Sequence, residues 1–186
     1  EIGVRLVGSE MCIRDRINMD VRFPIGELEV PNKVTLEDIQ KCLSEIESYA
    51  YRLRQTVAHL NDEALNKQYR DKSWTVRQLV HHIADSQLNM FQRLKLALTD
   101  TNPVVDPFIQ DEWAKLADSQ LPIECSLKML EGINERIIAI GNHLTESDLN
   151  RTFTLRGSGE ISVATKVAKL AWHEEHHLAH IKIALS

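Results

Sequence analysis

The chain has 186 residues, with 22 Lys+Arg against 27 Asp+Glu and a net charge of −5 when histidine is neutral. That length suits one ordinary domain, and seven Gly with five Pro are too few for a turn-dense β-sandwich or a disordered chain. No apolar run approaches the roughly 20 residues that span a bilayer, and the mild acidity argues against nucleic acid, whose phosphates call for a basic stripe.

Residues 1–18, EIGVRLVGSEMCIRDRIN, follow neither the helical nor the strand period and lack the apolar centre of a secretory signal. They read as a leader outside the fold, non-native or disordered, with Met19 as a candidate start and residues 19–186 as a single domain. Residues 20–34 carry two prolines and read as an extended strap. Thr35 then caps a first long helix, LEDIQKCLSEIESYAYRLRQTVAHL, with Ile39, Leu43, Ile46, Ala50, Leu53 and Val57 on its apolar face. After a polar link from Asn61 to Trp74, Thr75 and Gln78 make a capping-box pattern opening a second long helix, VRQLVHHIADSQLNMFQRLKLALT. Residues 100–121 hold Pro103, Pro107 and the amphipathic piece QDEWAKLA, and read as a long crossing connection that could act as a lid. Pro122 sits where an N1 proline belongs, ahead of a third helix faced by Ile123, Leu127, Leu130, Ile137, Ile140 and Leu144. FTLRGSGEIS has the pattern of a small hairpin, and Ser162 caps a last helix, VATKVAKLAWHEEHHLAHIKIAL. The expected fold is all-α, a four-helix bundle with one long crossover.

Three cysteines, Cys12, Cys42 and Cys125, lack CxxC spacing, so a disulfide framework or a thiolate zinc site is disfavoured and a reducing, cytoplasmic setting fits. Two of them fall in apolar helical patterns and read as small buried hydrophobes. The histidines are the unusual feature: of eight, six lie in two windows, His81 and His82, then His173, His176, His177 and His180. At about 100° per residue, His177 falls inside the apolar stripe of the last helix and His173 at its margin, an i, i+4 pair that could chelate one ion. His176 and His180 share that spacing but project more toward solvent. On the second helix His81 points away from the apolar stripe. His82 lies at its margin, in line with the polar ridge Ser86, Asn89 and Arg93. Asp85, one turn from His82, could orient an imidazole.

Three neutral imidazoles would leave a coordination position open, as catalytic zinc does. HEEHH also satisfies HExxH, but only nine residues follow His177, so the metalloprotease pattern lacks its downstream ligand. Glu174 falls in the middle of the apolar stripe, an expensive place for an unpaired carboxylate. It is a candidate acid/base, or else a partner satisfies it. Trp74 and Trp172 are candidate pocket walls, or ordinary bundle packing.

Four ordered blocks, RFPIGELEVP, WTVRQLVHHIADSQLNMFQRLKLALT, NPVVDPFIQDEWAKLADSQLP and AWHEEHHLAHI, resemble the DinB-like superfamily and its YfiT-type metal-dependent hydrolases over about residues 20–183. The resemblance implies an antiparallel four-helix bundle, a three-histidine divalent-metal site of zinc or nickel, and a cytoplasmic homodimer. By position the ligands would be His82, His173 and His177. Glu174 and Glu175 occupy positions that vary in that family, so Glu174 inherits no role. The leading functional expectation is a hydrolase using metal-activated water on a small substrate. A rival is an S-transferase activating a low-molecular-weight thiol, as relatives do with bacillithiol, and Asn89 and Arg93 could bind that cofactor. A non-catalytic metal-binding stress protein is the third reading.

Overall fold

The structure, a computed structural model, describes residues 20–186. The reading of residues 1–18 as a leader, and Cys12 with it, lies outside these residues. Four long helices dominate: α1 (Leu36–Val57), α3 (Val76–Thr99), α5 (Glu124–Gly141) and α7 (Val163–Leu185). Three single-turn helices lie in the connections, α2 (Asp62–Leu65), α4 (Gln110–Trp113) and α6 (Glu146–Leu149). A small sheet adds β1 (Val104–Val105), β2 (Thr152–Leu155) and β3 (Gly159–Ser162), with β1 parallel to β2 and β2 antiparallel to β3. The hairpin expected at FTLRGSGEIS is β2–β3, turned through Gly157 at φ +81°.

Local chemistry sets the helix starts. The Thr35 and Thr75 hydroxyls accept from the third backbone N–H of their helices, while Asp38 and Gln78 reach back to the cap N–H. Each reciprocal pair satisfies two of the four donors a helix start leaves free. Helix α1 stops at Val57 rather than Leu60, and α5 begins at Glu124 rather than at Pro122. Helices α3 and α7 have the expected bounds.

The apolar faces meet in two clusters that reveal the topology. One contains the first half of α1, the second halves of α3 and α5, and the first half of α7. The other contains the opposite halves. So α1 and α7 run one way and α3 and α5 the other, with antiparallel contacts between α1 and α5 and between α3 and α7. Two successive helices, α3 and α5, point the same way, so the chain must return the length of the bundle between them. Residues 100–123 make that return, the crossover expected from the sequence. It starts at β1 beside β2 and passes over the α3–α7 face. Among the described residues no helix is long and apolar enough to cross a membrane.

Two expectations about burial fail. Cys125 is exposed, in the first turn of α5, its thiol donating to the Pro122 carbonyl at 3.1 Å; Cys42 is half-buried against the core. His81, His176 and His180 are buried rather than turned to solvent. The crossover covers the outer side of α3, and the strap and the Tyr69 loop cover the outer side of α7.

Candidate metal centre

Helix α3 brings His82 to the seam with α7, where His173 and His177 sit one turn apart. The Nε2 atom of His173 is 3.3 Å from that of His82 and 3.1 Å from that of His177. A tetrahedral ion with metal–nitrogen bonds of about 2.0–2.1 Å separates its ligand nitrogens by roughly 3.3 Å. Two of the three separations thus match a tetrahedral site, and all three ligand atoms lie within 4.8 Å of one another, so these imidazoles could hold one divalent ion.

The hydrogen bonds fix which nitrogen of His177 is free. The Val21 carbonyl can only accept, so His180 donates to it from Nε2–H at 3.0 Å. His180 Nδ1 is then an acceptor, and His177 donates to it from Nδ1–H at 3.2 Å. The Nε2 lone pair of His177 is left facing the cluster. This two-histidine chain from the strap sets the tautomer that a ligand requires. Burial keeps the rings neutral: it pulls His82 down to about 4 and His173 and His177 well below the ordinary imidazole value. Three Nε2 atoms thus converge, that of His177 as an acceptor, with the Ser86 hydroxyl 3.3 Å from His82 Nε2.

A second triple, His176, His177 and His180, also lies within ligand range. There both ring nitrogens of His180 are engaged, and His176 stacks on Trp172 at 4.5 Å. His81 is held elsewhere: Ser126 donates its hydroxyl to Nδ1 at 2.7 Å, and Nε2–H donates to the Leu121 carbonyl at 3.0 Å. His81 therefore pins the crossover to α3 and α5.

The carboxyl candidates stand apart from the three nitrogens. Glu174 is 1% exposed and takes a hydrogen bond from Asn134 Nδ2 at 2.8 Å, in the core between helices. Burial raises its carboxyl well above the usual range. Asp85 makes no hydrogen bond with His82 among the described residues; burial first, then the Asp118 charge, push it up to about 6. Asn89 donates to the Asp85 carbonyl at 2.9 Å and does not line the pocket. Arg93 does line it.

That pocket, of about 280 Å³, opens beside His173 and His177 and is walled by Phe108, Gln110 and Trp172. Phe108 stacks 6.2 Å from the His82 ring, so the crossover forms part of the wall. Trp74 packs against the other face of His82 at 4.4 Å. Sequence reasoning missed Phe108 and Lys166 here, and turned His180 toward solvent although it is buried. Only Lys166 had a signal, a lysine in register with the apolar positions Val163 and Leu170.

Residues 45–181 match the model of the DinB superfamily. A protein of Oceanobacillus iheyensis is 67% identical over 168 residues, 90% of this chain and 97% of its own length. The chain belongs to the DinB superfamily. A second relative, from Halalkalibacterium halodurans, is 45% identical over 90% of this chain and 98% of its own. Both carry the name "Putative metal-dependent hydrolase". The solved structure of YfiT from Bacillus subtilis, described as "a probable metal-dependent hydrolase with an unusual four-helix bundle topology", superposes with a TM-score of 0.84. It is 33% identical and covers 88% of this chain and 94% of its own. The bundle in which α3 and α5 run the same way is thus shared with YfiT.

Proposed function

We propose that this protein is a metal-dependent hydrolase of small molecules, with His82, His173 and His177 as ligands of one divalent ion, zinc or nickel. One observation carries the reading: the ring nitrogens of three buried, neutral imidazoles lie within ligand range of one another beside an open pocket. The names of the relatives support it. When bound, such an ion supplies Lewis acidity and makes water a nucleophile near neutral pH. The chain's own residues do the rest. His180 holds His177 in the ligating tautomer, Phe108 and Trp172 wall the pocket and limit water, and Ser86 offers a hydroxyl beside His82. Three imidazoles suit zinc and nickel alike, so the protein does not select between them by ligand type.

Thiol transfer is the second reading. Arg93 in the pocket wall favours it, because a guanidinium suits a carboxylate-bearing thiol. Turnover of a model ester by zinc-loaded protein, absent from His82→Ala, is the expected result. Conjugation of a low-molecular-weight thiol to monochlorobimane without ester hydrolysis would replace the first reading by the second. If both rates match the His82→Ala control, the enzyme reading is overturned and a binding protein remains.

A further inference from the structure

Beside the three histidines, the same pocket carries a concentration of positive charge that the metal reading does not use. Lys166, Lys169 and Arg93 line its far side, and no Asp or Glu lines it among the described residues. Lys166 is only 2% exposed, yet its ammonium has no hydrogen bond or ion pair among the described residues, resting instead 5.3 Å above the Phe153 ring. Arg93 donates to one backbone carbonyl, that of Asp106, at 2.9 Å, and pairs with no carboxylate among the described residues. Lys169 is exposed at the pocket's rim.

Burying an ammonium without a counter-charge is costly, and neighbouring cations make it worse. Burial, with the charges of Lys169 and Arg93, pulls Lys166 down to about 7. Packing does not require this residue, since a methionine of similar length would fill the space without the penalty. The arrangement makes physical sense if an anion from outside completes it. We infer that Lys166, Arg93 and Lys169 form an anion subsite for a carboxylate or phosphate group of the small molecule whose reacting centre lies at His82, His173 and His177. On α7, Lys166 and Lys169 precede His173 by seven and four residues, about 10 and 6 Å along the helix axis. The ligand is therefore elongated, anionic at one end and reactive at the other. Arg93 offers a planar fork and the lysines offer point charges, a combination that suits either oxyanion.

The assignment of the other end of the ligand rests on the hydrolase reading, whereas the anion subsite is testable without it. Metal-free protein is titrated with succinate and, separately, with inorganic phosphate at constant ionic strength, following heat by calorimetry. The expected result is saturable binding of at least one of them, weakened about tenfold or more in Lys166→Met and in Arg93→Gln. Binding should be unchanged in Lys128→Met, on the surface of α5, and retained in His173→Ala. The tighter of the two anions names the group. No saturable binding, or equal binding by wild type and Lys166→Met, overturns the subsite whatever the fate of the metal. Binding retained in His173→Ala together with loss of hydrolysis in both loaded proteins would sink the hydrolase reading and leave the subsite standing.

Discussion

Helix α7 sends two adjacent side chains, His173 and Glu174, into different interiors. Glu174 enters a polar node in the bundle core. There Gln87 Nε2 donates to Asn134 Oδ1 at 2.8 Å, and Asn134 Nδ2 donates both to Glu174 and to the Ile46 carbonyl. Donors alternate with acceptors along this chain, which leaves Gln87 Oε1 and Glu174 Oε2 without partners among the described residues, and burial keeps the carboxyl protonated. His173 enters the seam with α3, where three imidazole Nε2 atoms meet beside the Ser86 hydroxyl. Its own Nδ1 is buried without a partner. A node of mixed groups meets most of its hydrogen-bonding needs from within and specifies packing. Three imidazole nitrogens within ligand distance of one another could hold a cation from outside.

The sharpest way to break that contrast is to remove a converging nitrogen. His173→Ala should take bound zinc or nickel from near one per chain to below about a tenth, because two imidazoles rarely suffice for a site of this type. Metal analysis of protein purified without an affinity tag reads this directly, and undiminished metal would end the three-histidine reading.

Next in size is Lys166. Burial, with the charges of Lys169 and Arg93, pulls its ammonium down to about 7 from the ordinary 10.5 that it regains on unfolding. Between those values the unfolded chain holds the proton and the folded chain releases it, so stability rises as pH climbs from 7 to about 10. Lys166→Met should be more stable than wild type at pH 7, by up to about 4 kcal/mol, and most of the gain should be gone near pH 10. Urea unfolding at the two pH values measures it. Equal slopes in both proteins would show that the lysine carries no burial penalty.

Removing the tautomer relay should have a smaller effect on the metal. His180→Phe keeps the bulk and loses the acceptor for His177 Nδ1–H, so zinc affinity should fall roughly 10–100-fold. Competition against a chromophoric chelator gives the number, with far-ultraviolet circular dichroism to check the fold. An unchanged affinity would demote His180 to packing.

The mildest expected effect on metal belongs to Glu174. Glu174→Gln preserves an oxygen for Asn134 and should leave metal content as in wild type, changing stability by about 1 kcal/mol. Loss of metal in this variant would merge the two interiors and undo the contrast drawn between them.

Much of this was legible along the chain. Periods of three to four residues, with Thr35, Thr75 and Ser162 as caps, mark the long helices, and their bounds agree most closely for α3 and α7. The three converging histidines were readable because each lies within or at the edge of an apolar stripe, and stripes face inward. The roles of His81, His176 and His180 were not. A helical wheel knows only its own helix, whereas these rings are buried by Leu121 and Ser126, by Phe23, and by Val21 and Tyr69, all from other segments. The short helix α6 did have a local signal, the capping box of Thr145 and Asp148.

The sequence by itself determined the four rods, their apolar faces, the need for a long return between α3 and α5, and the trio of imidazoles. Those are consequences of backbone geometry and side-chain period, which act within a few residues. Only the tertiary structure decided that His177 borrows its tautomer from a strap some 150 residues away. It also left the buried carboxyl of Glu174 with Asn134 and Lys166 beside an unneutralised pocket. Partners for a buried charge are chosen by whatever segment happens to cover it, and nothing local in the chain records that choice.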